Sequence, residues 1–367
     1  MKIAFISRAT LYSSPGGDTK QIEQTAAGLR RLGVSVDIYL TGDAIDYSQY
    51  DLLHFFNIIR PADIMGHIRK SGKPFVVSTI FVDYEVFEKK NRSGLAGYIG
   101  RLLPADMLEY LKALARWVKN GERPGSLSYL WTGHGRAIRQ IIRGAALLLP
   151  NSHSEYRRLE QKYGVKAAYR VVPNGISLEQ LQQPLQEAEQ YRGAVLCMAR
   201  IEGIKNQLRL IRALKNTPYR LFIHGKPSPN HIAYYNQCVA EAAEAENITI
   251  GGWLEGEALY AAYKAAKVHV LPSYFETTGL SSLEAAVMGC NIVITEGGDT
   301  REYFGDDAWY CDPEDTDSIR QAVEAAYAAP YNEAFRERIL RSLTWERAAE
   351  ETRAAYQQVL GGQTGNF

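Results

Sequence analysis

Cysteine is scarce in this chain. The four thiols among 367 residues, Cys197, Cys238, Cys290 and Cys311, are scattered and show no metal-ligand spacing. That excludes a zinc module and suits a reduced, cytoplasmic protein. Long apolar runs are missing too. No stretch approaches the ~20 residues that a membrane-spanning helix needs. The opening MKIAFISRAT holds only a very short apolar run, too brief for a secretory leader. A net charge is almost absent, with 42 Lys and Arg against 41 Asp and Glu. What remains is a globular composition, 46% hydrophobic and 23% charged, and a length that suggests two domains with a core each.

The near-zero net charge hides an asymmetry. Residues 1–175 carry 25 basic and 15 acidic residues, and the remainder 17 basic and 26 acidic. Such a split implies either an anionic partner for the first half or two halves attracting one another. Segment 86–143 is the most basic part, with 11 basic and four acidic residues. Its run Leu102 to Val118 places apolar residues at helical spacing beside Tyr110 and Trp117, as expected of an amphipathic helix at an anionic membrane or packed on its own domain.

The chain alternates buried strands and helices. Lys2 to Ser7 reads as a strand, followed by a loop ending Pro15-Gly16-Gly17-Asp18 and an amphipathic helix over Thr19 to Leu32. Gly16 and Gly17 lie at that helix start, but the second half of a dinucleotide-binding G-x-G-x-x-G is absent. Further strands are expected at Val34–Leu40, Asp51–Phe56, Pro74–Thr79, Ala145–Pro150, Tyr169–Val172, Ala194–Met198, Tyr219–Gly225, Ile248–Ile250, Val268–Leu271 and Asn291–Thr295.

The stretch Phe275 to Gly289 (FETTGLSSLEAAVMG) organises the rest. A strand, a tight loop and a helix start near Gly279 make an anion site, because the first helical N–H groups lack partners and the dipole favours negative charge. Glu276 and Glu284 flank the loop with seven residues between them. The stretch reads as a site that holds a diphosphate on backbone amides and grips hydroxyls with two carboxylates.

This pair of glutamates, with Gly279-Leu280 between and Ala285-Ala286 after, resembles the signature of glycosyltransferase family 4, retaining enzymes that use nucleotide sugars. Pro150-Asn151-Ser152-His153-Ser154 and Val172-Pro173-Asn174-Gly175-Ile176 carry the same likeness. The resemblance implies an α/β, GT-B architecture: two Rossmann-like doubly wound domains facing across a cleft, with a C-terminal helix returning to the first. The implied boundaries are an acceptor-binding domain at 1–176, a linker at 177–191, a nucleotide-sugar domain at 192–344 and the returning helix at 345–367. It implies that Arg200, Lys205 and Glu276 carry catalysis. Gly16, Gly17, Asn174, Gly225, Trp253, Leu254, Gly279, Leu280, Ser281 and Glu284 would bind the donor. The chemistry wants cations, since the leaving diphosphate gains charge as the sugar departs. An arginine forks onto phosphate oxygens, and a lysine acts as a point charge.

One departure stands out. Family members often have a histidine after the strand at 74–79 that contacts the donor sugar, and Phe75 to Phe87 has none. Asp83 is the nearest polar candidate on the acceptor side, while His54 reads as a core-edge residue. Asp315-Thr316-Asp317 has the spacing of a metal-binding Asp-x-Asp but precedes a helix, where acidic residues cap. No metal and no cofactor beyond the donor substrate are expected. The partners implied are a nucleotide sugar and a saccharide or lipid-linked acceptor, with an anionic membrane face as a further partner for 86–143 and no nucleic acid. Cell-surface polysaccharide or lipopolysaccharide synthesis would fit. A sugar-nucleotide epimerase on the same plan, or an inactive nucleotide-sugar-binding scaffold, stays open.

Overall fold

The computed structural model describes residues 1–82, 133–179 and 186–362. Asp83, the expected helix over 102–118 and most of the basic segment 86–143 lie outside these residues. Contacts divide the chain into two units, Met1–Asn174 with Trp345–Phe367, and Gly175–Thr344. The stretch read as a linker, 177–191, falls within the second unit, and Ile176 and Tyr191 beside it are buried in that unit's core.

The first unit is built on β1 (Lys2–Ser7), β2 (Ser35–Leu40), β3 (Leu52–Phe56), β4 (Phe75–Ser78) and β5 (Leu147–Leu149). They form one sheet in the order β2-β1-β3-β4-β5, every neighbouring pair parallel. Strands β3, β4 and β5 are buried at every position. A parallel sheet covered on both faces demands that, which is why these strands read as unbroken apolar runs. Its helices are α1 (Gly17–Arg31), α2 (Pro61–Ser71), α3 (His134–Gly144) and α4 (His153–Tyr163). Helix α3 turns Ala137, Ile138, Ile141 and Ile142 into the core and leaves Arg136 and Arg143 exposed. So the one described helix of the basic segment packs its apolar face on its own domain.

Helix α4 starts at Ser152, whose hydroxyl accepts from the Glu155 amide at 2.9 Å. The Glu155 carboxylate is fully buried. It accepts from the Asn151 and Phe81 amides, both at 2.7 Å, and from the Thr79 hydroxyl. One side chain thus ties together the segments that leave β4 and β5. Tyr169–Val172, expected as a strand, runs beside β5 through a single bridge, Tyr169 to Leu148, and the bonds Arg170 N to Leu148 O at 3.0 Å and Val172 N to Pro150 O at 2.9 Å, without extending into a full ladder. Apolar residues there satisfied the pattern, but their partner β5 is three residues long.

The last helix, which becomes α12 (Trp345–Gly361) in chain order, belongs to the first unit and packs along α1. A Cβ on Gly28 would stand 2.6 Å from the Ala349 Cβ, so the glycine is what lets the two helices close up. His54 on β3 faces this helix. Its Nδ1 meets the Tyr356 hydroxyl at 2.6 Å and its Nε2 the Ser78 hydroxyl at 2.8 Å. Burial pushes its pKa down to about 3, so it is a neutral core group.

The second unit holds β6 (Val195–Met198), β7 (Leu221–His224), β8 (Ile248–Gly251), β9 (Val268–Leu271), β10 (Asn291–Thr295) and β11 (Trp309–Cys311). The sheet order is β11-β10-β9-β6-β7-β8, all parallel. Side chains alternate between two cores: Leu196, Met198, Leu271 and Ile294 on one face, Val195, Cys197, Val270 and Val293 on the other. Around it lie α5 (Gln207–Leu214), α6 (Ile232–Ala242), α7 (Gly256–Ala265), α8 (Leu280–Val287), α9 (Thr300–Phe304), α10 (Thr316–Ala328) and α11 (Glu333–Ser342). All four cysteines are free and buried, and burial pushes the Cys197 thiol up to about 12, which leaves it inert.

Candidate functional site

In the second sheet the chain runs β6, β7, β8 to one side and then resumes at β9, on the other side of β6. The boundary between β6 and β9 is a topological switch point. There the two following loops diverge and open a crevice at the carboxyl ends of the strands. Arg200 and Lys205 follow β6, and Glu276 and Gly279 follow β9. The topology therefore brings both cations and the organising stretch to one edge.

The side chains of Lys205 and Glu276 meet there. Lys205 Nζ donates to Glu276 Oε1 at 2.5 Å, and the Ser273 hydroxyl donates to the same oxygen at 2.6 Å. Glu276 is 7% exposed, so its carboxylate is held in a nearly closed setting by one cation and one hydroxyl. The backbone around it is equally constrained. The Glu276 amide donates to the Gly297 carbonyl at 2.8 Å, and its own carbonyl accepts from the Asp299 amide at 2.9 Å. Gly298 sits at φ 109°, and a Cβ there would lie 1.9 Å from the Glu276 carbonyl oxygen. The loop after β10 is thus a second wall, and it needs a glycine for close approach and left-handed backbone alike.

Gly279 has φ 71°, ψ 54° and stands as the residue before α8. Among the described residues, the Gly279, Leu280 and Ser281 amides donate no hydrogen bond, whereas Ser282 and Leu283 already donate back to the Gly279 carbonyl. Three N–H groups without partners at a helix start are the kind of arrangement that can take an anion. Glu284, inside the helix, is 6% exposed. It lies close enough to Tyr263 for its charge to add to the burial that already raises the phenol. Under the helix, His269 is fully buried with Nδ1 3.2 Å from the Ser282 hydroxyl, and burial pushes its pKa down to about 3.

The loop after β6 is tied to its neighbours. The Asn206 side chain donates to the Pro272 carbonyl at 3.0 Å and the Pro313 carbonyl at 2.7 Å, and the Tyr274 amide donates to the Ile204 carbonyl at 2.9 Å. Asn206 takes the left-handed region, φ 61°, which asparagine tolerates better than most residues. Arg200 pairs with Glu202, Nη2 to Oε1 at 3.0 Å. Gly225, after β7, packs backbone against backbone: a Cβ there would be 1.8 Å from the Ala199 carbonyl oxygen. After β8, Trp253 is 46% exposed, with its indole N–H donating to Glu255 at 3.1 Å and the Lys226 ammonium 5.7 Å from its ring. Leu254 packs partly against the core.

Gly16, Gly17 and Asn174 belong to the first unit. Gly16 precedes α1, and its amide donates to the Thr19 hydroxyl at 3.1 Å. The preceding loop is gathered by Arg8, which donates to both Asp18 oxygens, at 2.6 and 3.0 Å, and to the carbonyls of Thr10 and Ser14. This loop follows β1, which lies between β2 and β3, the switch point of the first sheet. Asn174 is buried at that unit's end. Asp315 accepts from the Asp317 amide at 2.8 Å and caps α10. Among the described residues no cluster of three or more metal-ligating side chains occurs.

Sequence reasoning passed over Ser273, Glu202, Ser228, Asn206 and the Gly297-Gly298 wall. Only the glycine pair left a signal, as a turn directly after an apolar strand.

Residues 181–340 match the family model for glycosyl transferases group 1. A D-inositol 3-phosphate glycosyltransferase of Pseudarthrobacter chlorophenolicus is 25% identical across 99% of this chain and 97% of its own length. Among solved structures, sucrose-phosphate synthase from Thermosynechococcus elongatus superposes with a TM-score of 0.76 at 16% identity, covering 99% of this chain and all of its own. Anabaena HepE in complex with UDP and glucose gives 0.69 at 14% identity over 98% of this chain and all of its own. These structural likenesses speak to the fold, two Rossmann-like units of the GT-B kind.

Proposed function

We propose that this protein, whose residues 181–340 match the family model for glycosyl transferases group 1, moves a sugar from a nucleoside diphosphate sugar to a hydroxyl of a saccharide or lipid-linked acceptor, retaining the anomeric configuration. The observation that carries the reading is the ion pair of Lys205 with Glu276 ahead of the open amides of α8, with Arg200 on the same loop as Lys205, at the β6–β9 switch point. In this reading the Gly279, Leu280 and Ser281 amides, with Arg200 and Lys205, hold the diphosphate. Glu276 accepts from donor sugar hydroxyls. Glu284 accepts from the ribose diol, since a carboxylate takes two such bonds. The loop at Trp253 and Leu254 receives the base.

The site's chemistry is electrostatic. Charge develops on the diphosphate as the glycosidic bond breaks, and prearranged N–H dipoles and cations stabilise it with little reorganisation. The departing phosphate then accepts the acceptor's proton on the same face, so the reaction needs no separate general base and no metal. Anabaena HepE, solved with UDP and with UDP-glucose, supports the choice of donor class. The curated relatives are named for D-inositol 3-phosphate, an anionic polyol, which agrees with an anionic acceptor for the basic first half. A lipid-linked acceptor would bring the protein to the inner membrane face, in polysaccharide or lipopolysaccharide synthesis. Flotation with anionic vesicles at low salt tests that placement.

The decisive test is a thermal-shift screen against nucleoside diphosphate sugars, followed by turnover of the best donor. Arg200→Ala should lower turnover about 100-fold, the scale of one lost oxyanion donor. Near wild-type turnover by that variant would refute the assignment. Interconversion of the donor sugar without nucleotide release would point to an epimerase instead.

A further inference from the structure

Arg200 follows β6 on the loop that also carries Lys205, and its side chain is half-exposed, 47% accessible. Among the described residues its guanidinium pairs with Glu202 alone, through Nη2, so its other donors remain for other oxygens. The charge beside it belongs to Glu202, whose side chain is only 11% accessible. Glu202 Oε1 lies 3.0 Å from Arg200 Nη2, and its Oε2 accepts from the Ser228 hydroxyl at 2.8 Å. Ser228 follows β7, and the two loops are stitched nearby: the Ile201 amide donates to the Lys226 carbonyl at 3.0 Å, and the Ser228 amide to the Ile201 carbonyl at 3.3 Å. The Glu202 carbonyl also accepts from the Lys205 amide at 2.9 Å. Glu202 therefore stands beside Arg200, at the start of the turn that carries Lys205, and its carboxylate is anchored to a separate loop.

We propose that Glu202, braced by Ser228, is a positioning residue that orders Arg200 for the donor diphosphate. The inference rests on the reading of Arg200 as a diphosphate ligand. Two effects oppose one another. The carboxylate offsets part of the arginine's charge, and it also fixes a side chain that would otherwise sample many rotamers. At a half-exposed guanidinium solvent screens the first effect strongly, whereas ordering is a cost that the protein bears before the ligand arrives. Ordering therefore dominates, and losing the anchor weakens binding.

Titration calorimetry with UDP, GDP and ADP, and with the matching nucleosides, tests this. Glu202→Ala should weaken the preferred diphosphate about 3- to 10-fold, the cost of ordering one long side chain, and leave nucleoside binding unchanged. Ser228→Ala should act in the same direction with a smaller loss, and it carries the test alone if Glu202→Ala does not fold. In an Arg200→Ala background neither substitution should weaken binding further, since the coupling runs through the arginine. Unchanged or tighter diphosphate binding by Glu202→Ala, or an equal loss in the Arg200→Ala background, would overturn the proposal. Wild-type protein that binds none of the three diphosphates would instead sink the functional reading and this inference with it.

Discussion

Gly225→Ala is the substitution whose outcome is best worked from the structure. The new methyl would start 1.8 Å from the Ala199 carbonyl oxygen, with the carbonyl carbon at 2.9 Å. Both are backbone atoms and cannot rotate away, so the chains must part by more than about 1 Å to reach an ordinary contact. Two hydrogen bonds hold them at this point, Ala199 N to His224 O at 3.2 Å and Ile201 N to Lys226 O at 3.0 Å. Losing both costs about 2 kcal/mol, and the overpacking adds about 1–3 kcal/mol. A total near ~4 kcal/mol lowers the melting temperature by about 10 °C for a unit of this size. The displaced loop carries Arg200, so on the proposed reading affinity for a nucleoside diphosphate should fall more than stability alone implies, because small misplacements at a binding site are costly. Gly252→Ala is the control: a Cβ there meets nothing within 4 Å, and the change should stay within about 0.5 kcal/mol. Thermal melts followed by circular dichroism, with calorimetric UDP titration, read both. Coincident melts for Gly225→Ala and Gly252→Ala would refute the close-approach argument.

Other expectations follow from the same geometry. His54 and His269, both held near a pKa of about 3 by burial, are neutral when folded and take up protons on unfolding below pH ~6.5. Stability should thus fall as pH drops from ~6.5 toward ~3, by about 1.4 kcal/mol per histidine per pH unit. His54→Gln should flatten the pH dependence of urea unfolding by one proton's share, and an unchanged slope would contradict the assignment. Asp315→Ala removes the cap of α10 and should cost about 1 kcal/mol of stability by chemical denaturation, with no change in turnover. Treatment with EDTA should leave transfer activity intact. Complete loss restored by a divalent ion would show that metal chemistry had been missed.

Much of the site was legible because its signals are local. A glycine before an apolar, proline-free run marks a helix start whatever the rest of the chain does, and α8 begins at Leu280 after Gly279. Arg200 and Lys205 were visible as cations just past a buried strand. Their partners were not. Glu202 carries no motif of its own, and nothing in the order of residues says that its carboxylate meets Ser228. The same holds for Glu276, which reads as a hydroxyl-binding carboxylate yet also bonds Lys205 across 71 positions of sequence. The strand expected at Tyr169–Val172 shows the limit from the other side, since apolar character cannot reveal how long a partner strand is.

Residue pattern alone determined where most strands and helices lie and where cations and a glycine-led helix start follow buried strands, because backbone sterics and hydrophobic periodicity act over a few residues. Tertiary structure decided that β9 returns to lie beside β6, that Gly225 and Gly298 must be bare for backbones to touch, and that each cation carries a carboxylate companion. Those outcomes depend on which distant strands pair and on how closely their loops pack, and that is settled only when the whole sheet closes over its two cores.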